Sequence, residues 1–324
     1  MARKKDRLKG RFSRGLDLLE AGEVDAAFEL GRELEAEGHP EGYELQALTY
    51  VRSGELEQAL IPLERGIAHE PLAWALHQLR ANALSDLGKQ YDAVEAFRRA
   101  LDCPDVDEVA VYYNAAVSLA SYGHLEEALE RVCFRFPYNE QTRELHVLSG
   151  RLRLSMLTHL KRPQAALREA RALITRETCF GYLDAACGGL FAEQALAAWA
   201  AKRSPEIARE SALEAVGLDR SEPVARWVLL ELSEPVSPTG SLYRIEISSV
   251  RPGGRGESDR RFAASFRVVA ECPPEALELV RHFEPAAARE SIALAECTAL
   301  EPAAGRVRGV HAVGPEWCLE SEAA

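Results

Sequence analysis

Eight histidines, at positions 39, 69, 77, 124, 146, 159, 282 and 311, and seven cysteines, at 103, 133, 179, 187, 272, 297 and 318, are the side chains best suited to hold a metal or attack a carbonyl. Structural or catalytic zinc needs ligands at short, regular spacing, such as His-Glu-x-x-His or paired Cys-x-x-Cys. Neither pattern occurs. A thiol nucleophile needs a nearby base, and Cys272, Cys297 and Cys318 share the C-terminal stretch with Glu296 and His311. A thiol–imidazole site is one reading of that stretch; cysteines buried in short strands is the other. Pro252-Gly253-Gly254-Arg255-Gly256 has the glycine content of a phosphate loop but lacks the Gly-Lys-Ser/Thr ending. With Glu257, Ser258 and Asp259 it reads as a hairpin loop. Acidic pairs such as Glu126-Glu127 and Glu206/Glu210 fall on polar helix faces, where solvation is their role. No convergent reactive set emerges. The chain is therefore expected to be non-catalytic, with no cofactor and no metal.

The bulk properties of the chain limit its partners. It has 324 residues, 47% of them hydrophobic and 28% charged, and a formal net charge of -12. A negative surface disfavours nucleic acid and anionic membranes, whose phosphates need Lys and Arg. The one basic stretch, Arg3, Lys4, Lys5, Arg7, Lys9 and Arg11 against Asp6, reads as a solvated helix start. No apolar run is long enough to span a bilayer. An odd number of scattered cysteines suits reduced, mostly buried thiols, so a cytoplasmic protein is expected.

The strongest signal is repetition. Gly22, Gly54, Gly88 and Gly123 recur at intervals of 32, 34 and 35 residues. Each is followed by one or two polar residues and an amphipathic stretch centred on Ala27, Ala59, Ala93 or Ala128. Glycine just past a helix end takes the left-handed conformation without steric cost. The small alanines let two antiparallel helices approach closely. Pro40, Pro71, Pro104 and Pro137 punctuate the units, because proline cannot continue a helix.

These units resemble the tetratricopeptide repeat, a helix–turn–helix of about 34 residues. Tyr43, Ala47, Tyr50, Gly54, Ala59 and Pro71 match in one unit. Ala81, Gly88, Ala93, Phe97 and Ala100 match in the next, and Tyr112, Ala116, Gly123 and Ala128 in the one after. Two looser units centre on Gln164–Leu167 with Ala170, and on Glu206–Ala208 with Ala212 and Ala215. Their turns, Leu160-Lys161-Arg162-Pro163 and Lys202-Arg203-Ser204-Pro205, lack glycine. A long helix is expected across Leu183 to Lys202, and a capping helix from Glu222 to Leu232.

Beyond Ser233–Ser241, a Pro/Ser-rich linker, alternation sets in. Tyr243, Ile245 and Ile247 share one strand face, as do Phe262, Ala264, Phe266, Val268 and Ala270. A short helix follows Pro274, then strands over 291–300 and 307–313. The expected fold is mostly α. An α-solenoid of tetratricopeptide-like hairpins occupies residues 1–232, with about six repeats, the last two degenerate. Residues 233–241 form the linker, and 242–324 a small β-β-α-β-β domain.

The resemblance implies that the first helix of each pair lines an inner groove that grips another protein or a peptide. Glu44 and Leu48, then Gln78, Asn82 and Ser85, then Tyr113, Asn114 and Val117 fall at lining positions, with Arg151 extending the series. Some family members hold a peptide's C-terminal carboxylate with two Asn and basic side chains. Asn82 and Asn114 match that pair, but Gln78 stands where a Lys would be expected. A groove for extended peptide, in a scaffold or adaptor protein, is therefore implied. The rival readings are an enzyme whose site lies in the C-terminal domain and a peptide-sensing regulatory receptor.

Overall fold

The computed structural model describes residues 2–132, 137–202, 205–233, 236–251, 260–284 and 286–319. Cys133, Arg203, Ser204 and the Gly-rich stretch 252–259 lie outside the described residues, as do the side chains of Arg3, Lys4, Lys5, Asp6, Arg7, Lys9, Trp317 and Cys318. The chain divides into two compact units, Met1–Pro137 and Tyr138–Ala324.

The first unit is a run of helical hairpins: α1 (Ala2–Glu20) with α2 (Val24–Ala36), α3 (Pro40–Arg52) with α4 (Leu56–His69), α5 (Trp74–Asp86) with α6 (Gln90–Leu101), and α7 (Glu108–Ser121) with α8 (Leu125–Arg131). The turn glycines do what their spacing predicts. Gly22, Gly54, Gly88 and Gly123 all have φ between 76° and 81°. Around Gly54, its own N–H reaches the Val51 carbonyl at 3.0 Å, and the Glu55 N–H reaches the Tyr50 carbonyl at 2.9 Å. That pair of bonds satisfies the last carbonyls of α3 and turns the chain into α4. Ala27, Ala59, Ala93 and Ala128 are completely buried. Each hairpin closes on its alanines, and Leu34, Leu45, Leu63 and Leu76 fill the spaces between. The basic start of the chain is helical, and Arg11 pairs with Glu33 at 3.0 Å and Glu37 at 2.7 Å on α2.

The second unit begins with further hairpins: α9 (Arg143–His159) with α10 (Pro163–Phe180), α11 (Ala185–Ala201) with α12 (Pro205–Leu218), then α13 (Pro223–Glu231). Where the turn lacks glycine, lysine takes its conformation: Lys161 has φ 59° and Lys202 φ 52°. The sheet comprises β1 (Ser241–Arg251), β2 (Arg260–Ala270), β3 (Ala293–Pro302) and β4 (Gly309–Leu319). It is antiparallel throughout, in the order β3-β1-β2-β4. Helices α14 (Pro273–Phe283) and α15 (Ala286–Arg289) come between β2 and β3. Tyr243, Ile245, Ile247, Ala264, Phe266, Val268 and Ala270 point to one face, which buries Ala276, Val280 and Phe283 of α14.

The same core continues into the helices. Ala192 and Ala195 of α11, Ala212 of α12, and Ala225 and Val228 of α13 pack in one cluster with the sheet residues. The stretch expected as a linker is itself partly fixed. Ser237 is completely buried and its N–H donates to the Arg306 carbonyl at 2.9 Å. Val236 bridges Val307. The expectation of mostly buried thiols needs correction. Cys103 and Cys187 are buried, but Cys179 and Cys272 are exposed and Cys297 is intermediate. Cys272 is not in a strand; it stands at the N-cap of α14.

Candidate functional site

Helices α3, α5 and α7 are the first helices of three successive pairs, and they present their equivalent positions side by side. Between them lies a cleft of about 440 Å³. Asn82 and Ser85 from α5, Asn114 and Val117 from α7, and Leu48 from α3 all line it. The repeat length puts them there, because Leu48, Asn82 and Val117 occupy the same place relative to Gly54, Gly88 and Gly123. Val117 is 41% exposed, an apolar surface open to a partner.

The polar groups differ in how much bonding capacity they keep. The Asn114 Nδ2 donates to the Ala110 carbonyl one turn back at 2.9 Å. Its Oδ1 remains an acceptor. The Asn82 amide makes no side-chain hydrogen bond among the described residues, so it keeps both its acceptor and its donors, the complement of a peptide group. Ser85 Oγ is 2.7 Å from Ser118 Oγ. Asp86 is the one charged residue among the described lining. No Lys or Arg is among the described lining residues to match a carboxylate.

Glu44, Gln78 and Tyr113 do not line this cleft. They form an equivalent row one turn nearer the helix starts, about 6 Å along the axes. Glu44 is half-buried, and burial together with the neighbouring Glu41 pushes its carboxyl up to about 7. Gln78 Oε1 is buried with no hydrogen-bond partner among the described residues. Arg151 belongs to the second unit, where its Nη2 donates to Glu222 Oε1 at 2.9 Å.

The C-terminal thiols and histidine do not converge. Cys297 and Glu296 sit on β3 and His311 on β4, at opposite edges of the sheet. Three strand spacings, about 14 Å, separate those edges. Burial raises the Cys297 thiol, away from the reactive thiolate. His311 Nε2 is already engaged with the Val307 carbonyl at 2.7 Å. Among the described residues, no group of three or more His, Cys, Asp or Glu is placed to hold a metal ion. No helix among them is long and apolar enough to cross a membrane.

The hairpins, their left-handed turn glycines and their buried alanines define a tetratricopeptide-like repeat protein carrying a small four-stranded antiparallel sheet near its C-terminus. No family model matches the chain, and no curated protein matches its sequence. Solved structures do match its fold. PilW, a widely conserved type IV pilus biogenesis factor, aligns with TM-score 0.53 at 10% identity, over 68% of this chain and 97% of its own. The APC/C hetero-tetramer Cut9–Hcn1 aligns with TM-score 0.52 at 15% identity, over 69% of this chain. This chain spans 42% of that one. The apo form of the quorum sensor NprR from B. thuringiensis gives 0.51 at 15% identity, over 68% of each chain. At such identities the likeness is one of fold.

Proposed function

We propose that the first unit grips an extended segment of another protein in the cleft between α3, α5 and α7, and that the chain serves as a scaffold or adaptor. One observation carries this reading. Asn82, Ser85, Asn114 and Val117, from two helices, line a single cleft. The free amide of Asn82 and the Asn114 Oδ1 suit the peptide groups of a main chain. Val117 and Leu48 suit an apolar side chain between them. The absence of a lining cation disfavours a terminal carboxylate as the anchor. Cut9 is solved as a hetero-tetramer with Hcn1, an assembly of the kind a scaffold makes. The scattered free thiols support a reducing, cytoplasmic setting. Catalysis in the second unit gains no support from the separated Cys297 and His311.

The test is selection of a random peptide library on the full chain, followed by affinity measurements with Asn82→Ala, Asn114→Ala and the double variant. The double variant is expected to lose about tenfold or more, the worth of one or two hydrogen bonds. Peptides that bind wild type and double variant equally would remove the cleft from the function.

A further inference from the structure

We propose that the second unit holds a separate site for a small amphiphilic acid, an aromatic ring or short branched chain bearing one carboxylate. The site is a cavity of about 180 Å³ where α12, α13 and α14 meet β4. Leu213, Leu229, Leu279, Phe283 and Val310 form its walls. Phe283 and Val310 also belong to the main core, so the floor of the cavity is part of that core. A cavity of roughly 150 Å³ walled by apolar side chains has room for benzene. This one has room for a ring and a short linker.

Charge sets the other half of the ligand. Arg209, His282 and Arg289 stand at the cavity, and none of the described lining residues is acidic. Elsewhere in this unit Arg143, Arg151, Arg176, Arg220 and Arg308 each bond a carboxylate. Among the described residues Arg209 and Arg289 contact only carbonyls. Arg209 Nη2 donates to Leu232 O at 2.8 Å. Arg289 donates through Nε to Glu284 O at 2.9 Å and through Nη2 to His282 O at 3.2 Å. Those bonds fix the guanidiniums in place without neutralising them. Each keeps further N–H donors, because a guanidinium carries five. In a chain of net charge -12, two arginines without a carboxylate at an apolar hollow are the groups a ligand's carboxylate would complete. A purely apolar ligand would leave the cations unused, and an inorganic anion would leave the walls empty.

The experiment is titration of the full chain with 3-phenylpropanoate, followed by calorimetry and by chemical shifts of the cavity leucines. Saturable one-to-one binding is expected. The neutral 3-phenylpropanamide should bind about tenfold more weakly, since it lacks the charge-assisted bonds. R209Q and R289Q should each weaken the acid severalfold and leave the amide unchanged, while R289K keeps much of the affinity. Arg209 is exposed, so R209Q preserves the fold even if a change at Arg289 does not. The proposal is overturned by absence of saturation up to about 10 mM, beyond which binding is too weak to be specific. Equal affinity for acid and amide overturns it too, as does wild-type affinity in an R209Q/R289Q variant that melts normally. A peptide ending in leucine that binds more tightly than the free acid would also overturn it, assigning the site to a chain terminus.

Discussion

Ser85 Oγ and Ser118 Oγ, 33 positions apart in sequence, meet at 2.7 Å and tie α5 to α7 beside the cleft. Ser118 is buried, and the Tyr122 hydroxyl donates to the Ser85 carbonyl in the same place. Replacing one serine leaves the other hydroxyl without its partner, and replacing both removes the need. S118A is expected to destabilise the first unit by about 0.5–1.5 kcal/mol, and the S85A/S118A pair by less than the sum of the single changes. Urea unfolding of the four proteins in the cycle measures this. Strict additivity would mean that the two hydroxyls do not interact.

Helices α2 and α3 cross through glycine. A Cβ on Gly42 would lie 2.3 Å from Glu35 N and 2.6 Å from Gly31 O, both backbone atoms that cannot step aside. G42A is therefore expected to cost about 3 kcal/mol, at the upper end for overpacking. Gly10, with nothing within 4 Å of its would-be Cβ, is the control. G10A should be neutral or slightly stabilising, because alanine is the better helix former. Equal melting temperatures for the two variants would show that the crossing is loose.

The parts of the fold set by short-range pattern were the parts open to sequence reading. Gly54 and Ala59 sit five residues apart, and their conformation and packing follow from the same hairpin. The cleft residues Asn82 and Val117 followed from repeat length, since equal offsets from a turn glycine place side chains on equivalent faces. The Gly31–Gly42 crossing is hidden, because a glycine within a helical stretch shows in the sequence only a weakened helix, not what approaches it. The shared core of Ala225, Val228 and Ile245 was hidden as well. Each of those segments has its own pattern, and nothing local states that their buried faces meet. Ser237 illustrates the same limit: among prolines and serines it reads as linker, yet distant Arg306 takes up its N–H. Cys272 falls between the β2 alternation and the helix that follows Pro273, with no glycine to mark the boundary, so its place at the N-cap of α14 is not legible in the sequence.

Two carboxyls held above their ordinary range make stability fall as pH rises. Burial raises Glu44 to about 7, with Glu41 adding to the shift. Burial also raises Glu193 to about 7; Arg151 pulls it down and Glu222 pushes it up. Unfolded, each ionises near the ordinary 4.5. Between about 4.5 and about 7 the folded chain keeps protons that the unfolded chain has released, so stability declines across that window and is level above it. A tenfold change in proton affinity is worth about 1.4 kcal/mol, and solvent near the half-buried Glu44 reduces its share. E44Q is expected to gain of the order of 1 kcal/mol at pH 8 and nothing at pH 4. E193Q should show the same direction. Urea unfolding across that range decides it, and a parallel pH profile for wild type and both variants would contradict the shifts.

Lys161 does a glycine's work without a glycine's freedom. Its N–H reaches Thr158 O at 3.0 Å and the Arg162 N–H reaches Leu157 O at 2.8 Å, the same two bonds that close α3 around Gly54. The looser repeats thus keep the turn geometry and carry its strain, because a left-handed conformation costs a residue with a Cβ roughly 1–2 kcal/mol. Glycine would remove that strain but adds about 0.5–1 kcal/mol of chain entropy in the unfolded state. K161G is therefore expected to stabilise the second unit by about 0.5–1 kcal/mol, whereas K161A, which keeps the Cβ, should leave stability nearly unchanged. A shift in thermal midpoint for K161G but not K161A is the signature. Equal shifts in both would assign the effect to the lysine side chain instead of the backbone.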